Sequence, residues 1–184
     1  MIKALVERLI RKQEAVTGES ADFMRDIYAG NPGAFWRFAM FVPMSRVAGT
    51  LPLDAACAVR IAASHAEDCG PCLQTTITLS LAAGANPDML RAAVASNTTA
   101  MDEKTRIAFE FAEAIIAHDI RAEELRPVIE AWWGKAGITE IALAIASTRV
   151  YPMVKRAMGY AHACQHVVIE GETADASLRE AAAA

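Results

Sequence analysis

Apolar residues recur at helical spacing along almost the whole chain, and that periodicity confines it to an all-α fold. Near the N-terminus Ile2, Leu5, Val6, Leu9 and Ile10 share one stripe, while Lys3, Glu7, Arg8, Arg11 and Lys12 face the other way. Ile107, Phe111, Ala114, Ile115 and His118 repeat the pattern behind a helix start at Asp102 and Glu103. Breaks fall where helix punctuation is expected. Gly18 ends the first helix, Ser20 caps the next, and that one stops near Gly30-Asn31-Pro32-Gly33. Helices are expected over 53–66, with Asp54 in the first turn, and over 71–84. Asn86-Pro87-Asp88 is a capped start. A shorter helix over 125–133 stops at Gly134 and Gly137. Thr139 then caps a run over 140–158 that Pro152 should kink. A last apolar helix is expected over about 160–169. The tail 172–184 has no apolar face and is expected to fray. β-branched residues show no sustained period-two alternation, so no strand is expected.

A chain of 184 residues reads as one domain, and burying roughly 70% of its unfolded surface needs no disulfide or metal staple. The expected layout is a single helical bundle over 35–170, preceded by a helical extension over 1–34 and followed by a tail over 171–184. The hydrophobic fraction is 54%, above the ~45–50% of an average soluble domain, and much of the excess is alanine. That surplus points to a buried interface between copies of the chain. A net charge of −4 excludes a basic nucleic-acid footprint. No uninterrupted apolar run of ~18 residues is present, so no membrane span is expected. The charged N-terminus, Met-Ile-Lys-Ala-Leu-Val-Glu-Arg, cannot serve as a signal-peptide apolar segment, and a cytoplasmic location is expected.

Cys69-Gly70-Pro71-Cys72 is the constellation that carries chemistry. Two cysteines three apart at a helix start can close a small loop, so the pair can cycle between dithiol and disulfide. With Pro71 at the first helical position, Cys72 falls in the first turn, near unpaired N–H groups and the positive end of the helix dipole. That setting favours the reactive thiolate. Glu67 and Asp68 disfavour a second negative charge at Cys69. Cys72 is therefore the better thiolate and Cys69 its resolving partner, while a protonated His65, four residues before Cys69, would shift the balance back. Three other readings stay open beside the redox dithiol. A permanent structural disulfide does not suit a cytosolic chain. A zinc site lacks a second Cys-x-x-Cys at ribbon spacing, so Cys57, His65, His162, Cys164 and His166 could contribute only by tertiary coincidence. The last is an inert helix start carrying two ordinary cysteines. No cofactor or metal is called for.

The tetrapeptide is the one thioredoxins carry, but they place it after a buried strand, and the preceding run 58–65 reads here as helix. The chain more closely resembles the alkylhydroperoxidase D-like, carboxymuconolactone decarboxylase superfamily. The likeness rests on the Cys-x-x-Cys at a helix start, the helix over 53–66 before it, and the alanine-rich helix running to Gly84-Ala85-Asn86-Pro87 after it. It extends through Asp102-Glu103-Lys104-Thr105-Arg106, Phe111-Ala112-Glu113-Ala114 and Gly137-Ile138-Thr139-Glu140-Ile141-Ala142, covering about residues 35–160. The resemblance implies an all-α protein that acts as a thiol peroxidase or thiol–disulfide oxidoreductase. Its second cysteine would attack a small hydroperoxide or disulfide, its first would resolve the product, and a reducing dithiol partner would restore the pair. It also implies assembly as a dimer, trimer or hexamer. The chain departs from the peroxidase pattern at three places. Cys57 stands where the family has a glutamate, Pro71 where it has a histidine between the cysteines, and Thr76 where it has a histidine four residues after the second. The family proton relay is thus missing, and His65 and Glu67 are the candidate substitutes. Thr76, one turn past Cys72, is a candidate hydrogen-bond donor to a thiolate.

Several residues have a plainer reading beside a functional one. His162 and His166 are four apart, a metal-ligand spacing with Cys164 between them, yet a packed interface helix explains them as well. Trp132-Trp133 and the aromatic patch Phe35, Trp36, Phe38 and Phe41 are expected to fill the core and cover the active helix. Cys57 reads as a buried apolar filler. Arg149 and Arg156 read as solvated or interface charges. The alternatives to a dithiol enzyme are a non-catalytic oligomeric module that senses redox state or holds a metal, and lyase chemistry of the carboxymuconolactone decarboxylase kind on a small organic acid.

Overall fold

The computed structural model describes residues 2–44, 48–162 and 166–176. It is all-α apart from one small hairpin. Helix α1 (Ile2–Thr17) ends at Gly18, whose φ of 74° is the left-handed conformation a helix stop uses. Helix α2 (Asp22–Gly30) follows. Ser20 lies two residues before it, accepts the Asp22 N–H and donates to the Asp22 carboxylate. Asn31 then caps α3 (Pro32–Ala39) by accepting from Ala34 N, with Pro32 at the first helical position. The boundary drawn at 34/35 falls inside this helix. Helix α4 (Phe41–Met44) is a single turn.

Helix α5 (Leu53–His65) is the hub of the bundle. Its residues 55–59 and 61–64 are all buried, so it is enclosed on every side rather than amphipathic. Around it lie α6 (Gly70–Ala82), α7 (Pro87–Val94), α8 (Glu103–Ala117) and α9 (Arg121–Ala157). The caps on α7 and α8 fall where the sequence placed them. Asn86 accepts from Asp88 N, and Asp102 accepts from both Lys104 N and Thr105 N. Alanines such as Ala55, Ala58, Ala62 and Ala112 are fully or almost fully buried at the close helix contacts, between larger anchors such as Ile61, Leu73, Leu90 and Phe109. Small side chains let the axes approach, and the large ones supply roughly 1.5–3 kcal/mol each on burial.

Helix α9 (Arg121–Ala157) is two helical segments that meet in a kink at Gly134, where the stop was expected, with wider bounds than the 125–133 and 140–158 expected. It starts at Arg121, breaks only at Gly134 (φ 62°, ψ −167°), and resumes at once. Gly137 does not stop it: a Cβ there would lie 2.3 Å from Trp133 Cβ, so glycine is required by the packing of that tryptophan. Thr139 is inside the helix, its hydroxyl donating to Lys135 O, and does not cap it.

A second, smaller core joins α1–α3 to the far end of α9. Val6, Ile10, Phe23, Met24, Phe35 and Phe38 pack there with Tyr151, Val154 and Tyr160. Phe38 meets Phe23 and Tyr151 edge to face, at 5.9 and 5.5 Å between ring centres. Phe35, Phe38 and Phe41 therefore build this second core rather than covering the cysteine helix, while Trp36 lies exposed, edge-on to Phe35. Trp133 packs on the main core with Trp132 edge-on at 5.5 Å.

Among the described residues of 160–169 the expected helix is not found. α9 ends at Ala157, Gly159 turns the chain at φ 78°, and β1 (His166–Ile169) pairs antiparallel with β2 (Glu172–Asp175). Glu170 (φ 51°) and Gly171 (φ 82°) make the two-residue connection, both left-handed as a type I′ turn requires. Val167 and Ile169 are buried, whereas His166 and Val168 are exposed. That alternation fits a half-buried strand and would leave a helix with no apolar stripe. The expectation of a frayed tail is corrected for 172–176: β2 is paired and Ala176 is buried. Residues 177–184 lie outside the described residues. Among the described residues no helix is long and apolar enough to cross a membrane.

Candidate functional site

The cysteine pair sits where α5 hands over to α6. Cys69 is the N-cap of α6, with extended backbone (φ −125°, ψ 95°); Gly70 and Pro71 are the first two helical residues, and Cys72 is the third. The Cα atoms are 5.3 Å apart and the sulfurs are bonded to each other. Cys69 is 0% exposed and Cys72 7%. The N–H groups expected to stand open at this helix start are engaged: Gly70 N donates to His162 O at 3.0 Å, Pro71 has none, and Cys72 N donates to Cys69 O at 3.0 Å. What remains for a thiolate is the field of the helix rather than a direct backbone bond.

Three elements close around the pair. α5 and α6 run side by side through a ladder of small polar groups, with Ser64 and Thr76 hydroxyls 2.7 Å apart and the Cys57 thiol bonded to Ser80. Thr76 donates to Cys72 O at 3.0 Å, so its proton is held by the backbone and not offered to sulfur; the Ser64 hydroxyl then donates to Thr76. Cys57 stays a free buried thiol in this seam, and burial pushes its pKa up. The C-terminal segment covers the other side. Besides the His162–Gly70 bond, Gln74 binds the backbone of Val168 and His65 Nε2 lies 2.7 Å from Ala176 O. A carbonyl only accepts, so that nitrogen carries the ring proton.

The third element is α9. Arg149 Nε donates to the Glu67 carboxylate, and Arg156 Nη2 donates to the Glu67 backbone carbonyl. The Glu67 side chain is 5% exposed. Both arginines keep part of their side chains in solvent, with Arg156 exposed, yet their guanidiniums grip the turn that leads into Cys69. The turn itself is held by Glu67 N to Ser64 O and Asp68 N to His65 O, with Asp68 at φ 45°. The argument that Glu67 opposes charge at Cys69 changes accordingly, because a guanidinium now faces that carboxylate.

His65, Glu67, Cys69, Cys72 and Thr76 are thus brought to one junction, while Cys57 lies two turns back along α5. Sequence reasoning missed Gln74, Arg149 and Arg156. The signal for the arginines was their seven-residue spacing, which puts them on one face of a helix two turns apart. Among the described residues no three His, Cys, Asp or Glu side chains gather as a metal-binding group, and the suggested cluster with His162 and His166 includes Cys164, which lies outside the described residues. A shallow apolar groove of about 600 Å³ runs along α9 and α8, lined by Ile115, Ala142, Ile145, Ala146, Val150 and Met153, with Arg149 at its edge. Comparison of the chain with protein-family models, with curated proteins and with solved structures finds no match.

Proposed function

We propose that the chain is a thiol-dependent peroxidase or thiol–disulfide oxidoreductase that cycles Cys69 and Cys72 between dithiol and disulfide. The observation that carries this reading is a bonded cysteine pair at the N-terminus of a helix, with two guanidiniums converging on the turn before it. Cys72 is the attacking sulfur in this reading because it is the one with any exposure. Its thiolate bonds to one peroxide oxygen, the O–O bond breaks, and the departing alkoxide takes a proton to become the alcohol. Cys69 then attacks the Cys72 sulfenic acid, expelling hydroxide that leaves as water and forming the disulfide. A dithiol reductant restores both thiols and becomes a disulfide itself. The reading suits the cytoplasm, where such reductants keep thiols reduced, and a homo-oligomer such as a dimer, trimer or hexamer.

The test is peroxide consumption with a dithiol reductant by the parent and by Cys72→Ser. The parent should turn over and the variant should not; equal rates would end the proposal. A second reading, a redox-responsive module without turnover, is favoured by the near-complete burial of both sulfurs. It is separated by the same assay, since such a module forms and loses its disulfide but consumes no peroxide catalytically.

A further inference from the structure

We propose that Arg149 and Arg156 are positioning residues that set the acidity of the Cys69/Cys72 dithiol through Glu67. The inference rests on reading that pair as a reversible dithiol. Both arginines come from one face of α9, and both end on residue 67, one on its carboxylate and one on its carbonyl. The carboxylate is nearly out of water and only two residues from the N-cap cysteine. A negative charge two residues along the chain from Cys69, with little solvent to screen it, resists a second one on sulfur. Arg149 cancels that opposition. Arg156 adds a second positive charge and fixes the carbonyl, and with it the left-handed turn at Asp68.

The other charged and titratable groups around the dithiol do not duplicate this role. His65 on α5 binds Ala176 O, Asp68 is exposed on the turn, and α6 carries no ionisable side chain besides Cys72. On the C-terminal segment His162 and His166 have exposed side chains, while Glu170 and Glu172 reach Arg91. On α1, Glu7 and Glu14 are held by Arg25.

The experiment follows alkylation of Cys69 and Cys72 in the reduced full chain by peptide mass mapping, from about pH 5 to 10. Arg149→Met should move the thiolate midpoint up by about one unit, slowing alkylation at neutral pH roughly tenfold. Glu67→Gln should move it down by a comparable amount. The double variant should return to within a few-fold of the parent, and Arg149→Lys should keep most of the effect. A Glu67→Gln profile identical to the parent overturns the inference, as does a double variant that tracks Arg149→Met, which is the result a merely structural role would give. Where Arg149→Met does not fold, Glu67→Gln and the double variant carry the test, because neither leaves a buried charge unpaired. Peroxide turnover plays no part in the readout, so a chain that reduces no peroxide still returns a profile that decides the matter.

Discussion

The side-chain amide of Gln74 brackets Val168: its nitrogen donates to the Val168 carbonyl at 3.0 Å, and its oxygen accepts from the Val168 N–H at 2.7 Å. A residue two positions after Cys72 therefore stands in for a neighbouring strand along the free edge of β1. The segment that shuts over Cys69 is fastened at this point.

Replacing Gln74 by alanine removes both bonds. They lie at the surface, so global stability should fall by about 1 kcal/mol or less, read from urea unfolding. Local opening of the hairpin should become more frequent, and reduction of the Cys69–Cys72 disulfide by dithiothreitol several-fold faster. Unchanged reduction kinetics would mean that the hairpin does not limit access to the sulfurs.

A second prediction concerns Glu140, buried in α9. One of its carboxylate oxygens accepts from Thr50 N at 2.8 Å and Leu51 N at 3.4 Å, which anchors the leader of α5. Glu140→Ala leaves the buried Leu51 N–H without its acceptor and should cost about 1–3 kcal/mol. Glu140→Gln keeps an accepting oxygen and should cost less than half as much. Equal losses in the two variants would show that the backbone bonds are not what the residue contributes.

Acid should loosen the N-terminal helices before the bundle. Arg25 on α2 binds Glu7 and Glu14 on α1, and these hydrogen bonds hold both carboxyls down from 4.5 to about 2. Because the folded pKa lies below the unfolded one, their contribution is complete above about pH 4.5 and disappears as pH falls toward 2. Amide exchange in α1 should rise through that window while α5 stays protected. An Arg25→Gln variant should show fast α1 exchange already at neutral pH and no further rise through the window.

The Cys57 thiol should be inert. It is 4% exposed, and burial disfavours its charged form. In the native oxidised chain a thiol reagent at neutral pH should leave Cys57 unmodified by peptide mapping, and modify it only once the chain is unfolded. Native-state labelling would place an opening motion in the α5–α6 seam.

Local chemistry made much of this molecule legible. Asn86 and Asp102 act as caps, Gly18 and Gly84 close helices, and Cys69 stands at a helix start, because each depends on neighbours within four residues. The hairpin was not legible for the same reason in reverse. Val167 and Ile169 alternate with exposed residues for only four positions, and Glu170-Gly171 lacks the Asn-Gly or Asp-Gly signature of a tight turn. Within the site, Glu67 was visible as a charge beside Cys69, but not that Arg149, 82 residues away, pairs with it. Thr76 shows the same limit. Its position one turn after Cys72 was readable, whereas the competition between a thiolate and the Cys72 carbonyl for its hydroxyl was settled by helix geometry.

At Gly134 the backbone leaves helical values for one residue, and nothing lies within 4 Å of where its side chain would be. The penalty for another residue there is conformational rather than steric. Glu140, Arg149 and Arg156 all lie beyond it, on the same helical segment. A change in the two dihedral angles at that glycine would shift the clasp on the α5 leader and both guanidiniums on Glu67 together.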